Sequence, residues 1–456
     1  MIVMKFGGTS VESAAAIERA AEIVQERLER RPVVVVSALG KTTNRLLALA
    51  ADAVAGRREQ ALEQLQALKE YHLEEASQVV SEAEETELET IITGHFRELE
   101  ELVKGLAVLG ELTPRSWDAI ASYGERLSSR IVELAFRRFE IDSVHLDSRQ
   151  LIVTDRRHTQ AAPLTFETYA RLSAVIPRLA QSKVVVMGGF IAATEDGATT
   201  TLGRGGSDYT AALVGAGVQA EEIQIWTDVD GMLTADPDLV PDAHRVKVIS
   251  FDEAAELAYF GAKVLHPSTV LPAIERNIPV LILNSRRPQV RGTRIVAEAV
   301  PCANPFKSIA SKPHITVMTI QSSRMLMAYG FLRRIFEVFD RYETPVDMLA
   351  TSEVSVSLTI DNITRLREIC AELRQFSEVL VEEDQAIICL VGDNVRATAG
   401  LAARVFGALA HLNVRMISQG GSQLNLGLVV ARQDLEEAVR SLHREFFSAL
   451  DPAVFD

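Results

Sequence analysis

Cysteine is scarce in this chain: Cys302, Cys370 and Cys389 are odd in number, far apart and free of any CxxC spacing. That excludes a disulfide framework and a zinc ribbon, and leaves structural, reduced thiols. Metal-ligand spacing is missing as well. The nine histidines form no HExxH or similar pattern, and His266 in Leu265-His266-Pro267 reads as a local hydrogen-bonding residue, so no protein-held metal is expected. No apolar stretch approaches the roughly 20 uninterrupted residues of a membrane span. The opening Met1-Ile2-Val3-Met4-Lys5 lacks the basic head, apolar middle and small-residue cleavage site of a signal peptide, which favours the cytoplasm. Positive charge is in short supply: 47 Lys and Arg against 62 Asp and Glu give a net charge of −15. That field repels nucleic acid, and no basic run interleaved with aromatics offsets it. An anionic ligand therefore requires a local positive pocket.

What is present is ample apolar material, 47% of 456 residues, more than one hydrophobic core usually organises, so two or three domains are expected. Apolar runs without alternation occur at 32–36, 184–187, 223–226 and 279–283, each ended by small or polar residues. They read as buried parallel strands with helices between them, an α/β sheet covered on both faces over the first ~295 residues. In such sheets the loops after the strand ends carry ligands, and Ser37-Ala38, Gly188-Gly189-Phe190 and Thr227-Asp228 lie there. From about Arg45 to Leu112 the chain is rich in Ala, Leu, Glu and Gln with Gly56 and Gly94 as breakers, which predicts a helical excursion from the sheet.

After Arg291-Gly292-Thr293 a strand, glycine, helix and alternating-strand pattern occurs twice. Gly330 and Phe336 recur as Gly400 and Phe406, an offset of 70 in both cases, which marks duplication of a βαββ-type unit. The alternations Val354, Val356, Leu358, Ile360 and Leu424, Leu426, Leu428 close the two copies. Paired units of this size bind a small molecule between them or serve dimerisation.

Chemistry concentrates first in Met4-Lys5-Phe6-Gly7-Gly8-Thr9-Ser10. Glycines let backbone N–H groups approach an anion, a following helix offers its positive end, and the lysine adds a full charge. Thr9-Ser10-Val11-Glu12 fits a capping box, and Ile17, Ala21, Val24 and Leu28 follow at helical spacing. Gly40-Lys41-Thr42 imitates a P-loop but has Val35 where that motif needs glycine, so phosphate contacts must come from several loops. The densest run is 199–210, where Gly203, Gly205, Gly206, Arg204, Ser207 and Asp208 precede a helical Ala211-Ala212-Leu213. Arg204 offers a bidentate grip on a carboxylate or phosphate, and Asp208 can orient a lysine or a magnesium ion. Glu125 opens a helix where it can receive an ammonium group or be an ordinary first-turn carboxylate, and Lys263 ends an amphipathic helix.

Taken together, Lys-Phe-Gly-Gly-Thr-Ser at 5–10, Gly-Arg-Gly-Gly-Ser-Asp at 203–208, Trp-Thr-Asp-Val at 226–229 and Phe-Gly-Ala-Lys-Val-Leu-His-Pro at 260–267 resemble the aspartate kinases of the amino acid kinase superfamily. The resemblance covers essentially the whole chain. It implies an amino acid kinase fold over 1–297 and a regulatory region over 298–456 with tandem ferredoxin-like ACT units at about 310–380 and 381–456. It implies transfer of the ATP γ-phosphoryl group to the side chain of L-aspartate, giving 4-phospho-L-aspartate for lysine, threonine and methionine synthesis, with Mg²⁺ carried by the nucleotide. On the same basis Lys5 and Asp208 are catalytic, and Lys5, Gly7, Gly8, Thr9, Ser10, Ser37, Thr227, Asp228, Leu233, Lys263 and Val264 bind nucleotide. Thr43, Glu125, Arg204, Gly205, Gly206 and Ser207 bind aspartate. Met325, Ala328, Phe331, Leu332, Asp347, Ser352, Glu353 and Val354 resemble the site for a lysine effector, whose charge Asp347 and Glu353 suit. A homodimer or larger homo-oligomer through the ACT units is implied. The chain departs from the family pattern at Leu233 and Asp238, where tyrosine and arginine are more usual, and at Gln321 and Ala328, where histidine and serine are. A kinase for a related acidic amino acid, or an amino-acid-sensing protein with a weak kinase half, are the alternatives.

Overall fold

Pro32–Val36 carries valine at four of its five positions, all buried, and β-branched side chains of this kind pack well on a pleated surface that is covered on both faces. In the computed structural model this strand lies inside a largely parallel sheet. In spatial order seven of its eight strands run Ser143–Leu146, Val184–Gly188, Pro32–Val36, Ile2–Phe6, Glu222–Thr227, Val280–Asn284 and Thr293–Val296, the seventh antiparallel to the sixth. The structure describes residues 1–261, 267–322 and 329–456, with the backbone alone at 267 and 268. Within them the chain divides into two compact units, 1–231 with 264–298, and 232–263 with 299–456. The segment 232–263 therefore packs with the C-terminal part, whereas the sequence placed it with the first.

In the first unit all four expected strands form, and Ile2–Phe6 pairs in parallel with Pro32–Val36 on one side and Glu222–Thr227 on the other. Strand order reverses about Ile2–Phe6, which opens a crevice at its carboxyl end. The excursion is helical, as Thr42–Val54, Arg58–Ser77 and Glu85–Leu109. Gly56 separates the first two, but Gly94 lies inside the third, which buries Leu88, Ile92, Phe96, Leu99, Val103 and Leu106 at three- and four-residue spacing. The expected capping box at Thr9 does not form. Ser10 Oγ is engaged by Ser285 Oγ at 2.8 Å, Gly8–Ser10 is a 3₁₀ turn, and Ser13 caps the helix Ala14–Gln25 by accepting from Ala16 N. The small sheet of Val153–Thr154, Ile191–Thr194 and Thr199–Thr201 was not foreseen.

In the second unit a sheet runs Leu349–Thr351, Ser355–Ile360, Ser308–Gln321, Glu378–Val391, Asn425–Ala431 and Met416–Gln419. The duplication is borne out in detail. Gly330 and Gly400 both take left-handed conformations, φ +80° and +77°, at the starts of Phe331–Arg341 and Leu401–Ala408. Val356, Leu358 and Ile360 are fully buried, as their alternation required. The repeats do not meet at 380, because Ser308–Gln321 and Glu378–Val391 are each 14 residues long and pair along their length. Residues 385–391 pair with Asn425–Ala431 on one side and with 308–313 on the other, while 316–321 pair with Ser355–Ile360 on one side and with the 378–382 stretch on the other. A true capping box does occur in this unit: Ser250 and Glu253 open Phe251–Tyr259. No helix among the described residues is long and apolar enough to cross a membrane.

Candidate active site

Lys5 is the fourth residue of its strand, and an ammonium so nearly buried needs a compensating charge. It has one: Nζ lies 2.7 Å from Asp208 Oδ1. The contact does not have the geometry of an aligned hydrogen bond, since Oδ1 has no donor among the described residues. The pairing is thus chiefly Coulombic and leaves the Nζ–H groups available to another acceptor. Asp208 sits in the first turn of Gly206–Val218, whose N-cap is Gly205 at φ +71° with no side-chain cap. A helix start left open in this way presents unpaired N–H groups and positive potential. Among the described residues the backbone N–H groups of Ser207 and Asp208 have no acceptor, and neither do those of Gly8 and Thr9 on the turn facing them in sequence order. The loop at Gly189 packs tightly on this helix start: a Cβ at Gly189 would lie 2.6 Å from Ser207 Cβ.

Glu125, in the first turn of Tyr123–Arg138, is buried at 4% exposure. Its Oε1 accepts from Ala38 N at 3.1 Å, and its Oε2 is buried with no donor among the described residues. Burial pushes its carboxyl up to about 8, opposed by the Ala38 amide. An acid in that condition is a vacancy for a cation.

These groups share one cavity of about 360 Å³. Of the residues expected from the sequence, it brings together Lys5, Gly8, Ser37, Thr43, Glu125, Gly205, Gly206, Ser207 and Asp208. Others stand outside its lining for identifiable reasons. Gly7 N donates to Trp226 O at 3.0 Å, and Ser10 Oγ is held by Ser285, so neither is free for an anion. Thr9 lies on the same turn but its side chain is not part of the wall. Thr227 and Asp228 follow the adjacent strand end, where Thr227 Oγ1 donates to Asp228 Oδ1 at 3.2 Å. Arg204 is exposed between the two lining glycines Gly203 and Gly205, and among the described residues it makes no ion pair. Leu233 belongs to the second unit, where its carbonyl accepts from Ser308 Oγ at 2.6 Å. Lys263 and Val264 lie outside the described residues.

The cavity also contains residues the sequence reading left out, chiefly Lys41, with Asn44, and it includes Phe190 from the Gly188-Gly189-Phe190 loop expected to carry ligands. Lys41 was set aside with the rejected P-loop. The usable signal was its place just after a buried parallel strand, not the motif. Among the described residues no group of three or more His, Cys, Asp or Glu is placed to hold a metal ion.

A cavity that combines a compensated lysine, open helix amides and an unmet buried carboxylate is built for a phosphate and an ammonium together. The family profile described as "Amino acid kinase family" matches residues 1–284, and an "ACT domain" profile matches residues 388–446. The chain belongs to the aspartokinases of the amino acid kinase family. It is 38% identical over 469 residues to the chloroplastic aspartokinase 2 of Arabidopsis thaliana, covering 99% of this chain and 85% of that one. It is 36% identical over 466 residues to the lysine-sensitive aspartokinase 3 of Escherichia coli K12, covering 98% and 99%. Crystal structures of E. coli aspartokinase III match with a TM-score of 0.83 at 35% identity in the R-state complex with aspartate and ADP, and 0.85 at 34% in the T-state complex with lysine and aspartate. Each match covers 98% of this chain and 100% of the other.

In this aspartokinase the expected effector residues fall into four groups. Met325 and Ala328 lie outside the described residues. Phe331 is part of the apolar core and meets Phe376 edge-on at 6.0 Å, so it is committed to packing, while Leu332 is exposed. Ser352, Glu353 and Val354 form the turn before Ser355–Ile360, with Ser352 Oγ 2.8 Å from Ser355 Oγ. Asp347 is not a free anion: Lys312 Nζ lies 3.0 Å from its Oδ1 and 2.6 Å from Asp361 Oδ2. Burial raises the Asp347 carboxyl above its usual range, against the pull of Lys312, and its Oδ2 remains without a donor among the described residues.

Proposed function

We propose that this protein is an aspartate kinase that transfers the γ-phosphoryl group of ATP to the side-chain carboxylate of L-aspartate. The observation that carries the reading is the unmet Oε2 of Glu125 in the same cavity as the Lys5–Asp208 pair and the open amides of Gly206–Val218. An amino acid needs a buried acid for its ammonium, and a triphosphate needs cations and N–H groups. Both requirements meet in one cavity.

The nucleophile belongs to the substrate and is ionised at pH 7, so no general base is required. The protein must align two anions and neutralise the charge that develops on the phosphoryl group. In this reading Lys5 supplies that charge, Asp208 holds Lys5 in place, and the amides of Gly8, Thr9, Ser207 and Asp208 cradle phosphate oxygens. Lys41 adds a second cation at the cavity wall. Glu125 takes the aspartate ammonium, with Thr43 and Ser207 beside it, and Arg204 closes on a substrate carboxylate from its exposed loop. Thr227 and Asp228 serve the nucleotide from the neighbouring strand end. Mg²⁺ arriving with the nucleotide would supply further neutralisation of the phosphate charge, and Asp208 in the cavity wall is a carboxylate that would help hold it.

Lysine as an inhibitor fits the same reading, through a homodimer of the ACT units whose inactive arrangement binds lysine better than the active one. The test is aspartyl hydroxamate formation with ATP, Mg²⁺ and aspartate, with and without lysine, and with glutamate as the competing acid. We expect aspartate-dependent product that lysine suppresses. Product no greater than that of Lys5→Ala would end the enzyme claim, and preference for glutamate would change the substrate.

A further inference from the structure

Behind the helix that carries Glu125 lies a second cavity, of about 300 Å³, within the first unit. Its wall includes Arg126, Arg130, Arg149, His95, His145 and Asp147. Arg149 is accounted for, since Asp147 accepts from its Nε at 3.0 Å and from its Nη2 at 2.6 Å. The other two arginines are not. Arg126 has a single carboxylate contact, Glu98 at 3.3 Å, and Arg130 has Glu87 at 2.9 Å and Glu133 at 3.3 Å.

The arrangement of exposure decides how to read these pairs. The Arg126 and Arg130 side chains are 16% and 25% exposed, whereas their partners Glu98 and Glu87 are 59% and 42% exposed. The acid that meets Arg126 among the described residues thus lies in water, where such a pair contributes little, whereas Arg130 also meets Glu133, which is 1% exposed and shared with Arg137. A guanidinium has five N–H donors, and Arg126 uses one of them on Glu98 while its face lies 4.1 Å from the Tyr123 ring centre. Arg126 itself is part of the cavity wall. The histidines cannot supply the missing negative charge and add no repulsion of their own. Burial, with Arg130 beside it, brings His145 down to about 4, and burial lowers His95. Both are neutral at pH 7, and among the described residues His145 Nδ1 has no partner.

We propose that this cavity is a second anion-binding site, which takes a small oxyanion, a phosphate or carboxylate group, between the guanidinium groups of Arg126 and Arg130. Its volume, about 300 Å³, admits an inorganic phosphate or a short dicarboxylate. Planar forked donors on two successive turns of one helix match the paired oxygens of either group. The site backs onto the catalytic cavity: Ser129 Oγ donates to the Glu125 carbonyl at 2.7 Å and lies 3.0 Å from His145 Nε2. Gly188, in the same wall, approaches so closely that a Cβ there would lie 3.0 Å from the Glu125 carbonyl oxygen.

The experiment titrates inorganic phosphate and, separately, succinate into the full-length wild-type protein saturated with ADP and aspartate, which fill the catalytic cavity. ³¹P line broadening of inorganic phosphate and the melting temperature are read. Saturable broadening with a rise of about 2–4 °C in Tm is expected, and at least a tenfold weaker apparent Kd in Arg130→Met and Arg126→Met. A response to succinate alone identifies the carboxylate class, and one to phosphate alone the phosphate class. Circular dichroism checks that the variants fold, and the wild-type titration stands without them. The proposal is overturned by absence of any saturable response to both anions in wild type. It is equally overturned if ADP and aspartate abolish the response while Arg126→Met and Arg130→Met, without those ligands, retain it.

Discussion

Two buried glutamates, one in each unit, are handled in opposite ways. Glu253 is fully buried, and its Oε2 accepts from Ser250 N, from Ser250 Oγ and, at 2.8 Å, from Lys307 Nζ, itself fully buried. Each acid leaves one oxygen without a donor among the described residues, Glu253 Oε1 and Glu125 Oε2, but Glu125 has no cation among its described partners, one backbone donor, and a cavity beside it. A buried acid with its counter-charge supplied by the chain is a structural device that ties Phe251–Tyr259 to the strand following Lys307. A buried acid without one costs stability that only an incoming ligand can offset, which is why burial points to function in one place and to architecture in the other.

The comparison is best broken at its cations. Lys5→Met removes the charge at the transferred group, and the initial rate of hydroxamate formation should fall about 10³-fold or more with the fold retained by circular dichroism. Lys307→Met should leave catalysis to fail only through unfolding. It strands Glu253 in the interior at a cost of about 3–5 kcal/mol in denaturant unfolding, and adding Glu253→Gln should recover part of the loss. Retained stability in Lys307→Met would erase the distinction between the two acids.

Glu125 sharpens the comparison through pH. Its carboxyl, near 8 in the empty protein against an ordinary value of 4.5, holds a proton between those limits that the unfolded chain does not. Its contribution therefore favours the empty folded protein fully below 4.5 and is lost as pH rises through about 8. Aspartate binding runs the other way, because the ammonium requires the ionised form, present in roughly a tenth of molecules at pH 7. The kcat/KM for aspartate should thus climb about tenfold from pH 7 to a plateau above 8. Glu125→Gln should raise KM by about 10–100-fold and flatten that climb; an unchanged pH profile in the variant would remove Glu125 from the ammonium role.

The sequence disclosed what local chemistry controls. Valine and isoleucine runs announced the parallel strands, their carboxyl ends located the loops of the cavity, and a glycine offset revealed the duplicated unit. It concealed what depends on partners far along the chain. Thr9 looked like the N-cap of a capping box, but Gly8–Ser10 forms a 3₁₀ turn whose Ser10 meets the distant Ser285, and the helix starts later, capped by Ser13. Gly7 looked available to phosphate until Trp226 O claimed its amide. Asp347 looked like a free anion, yet Lys312, 35 positions earlier, answers it. Segment 232–263 gave no local sign of belonging with the C-terminal unit, because the ion pair between Glu253 and Lys307 that ties it there spans 54 positions.

The paired strands Ser308–Gln321 and Glu378–Val391 have a practical consequence. Each is common property of both ACT units, so no single scissor cut yields one unit whole: severing the chain near 380 deprives the distal module of its 308–313 edge. What slides in one module must travel along the same girders to the other, except where the register slips around Pro313, Ile315 and Val317. That slip is the joint at which the two modules can be uncoupled.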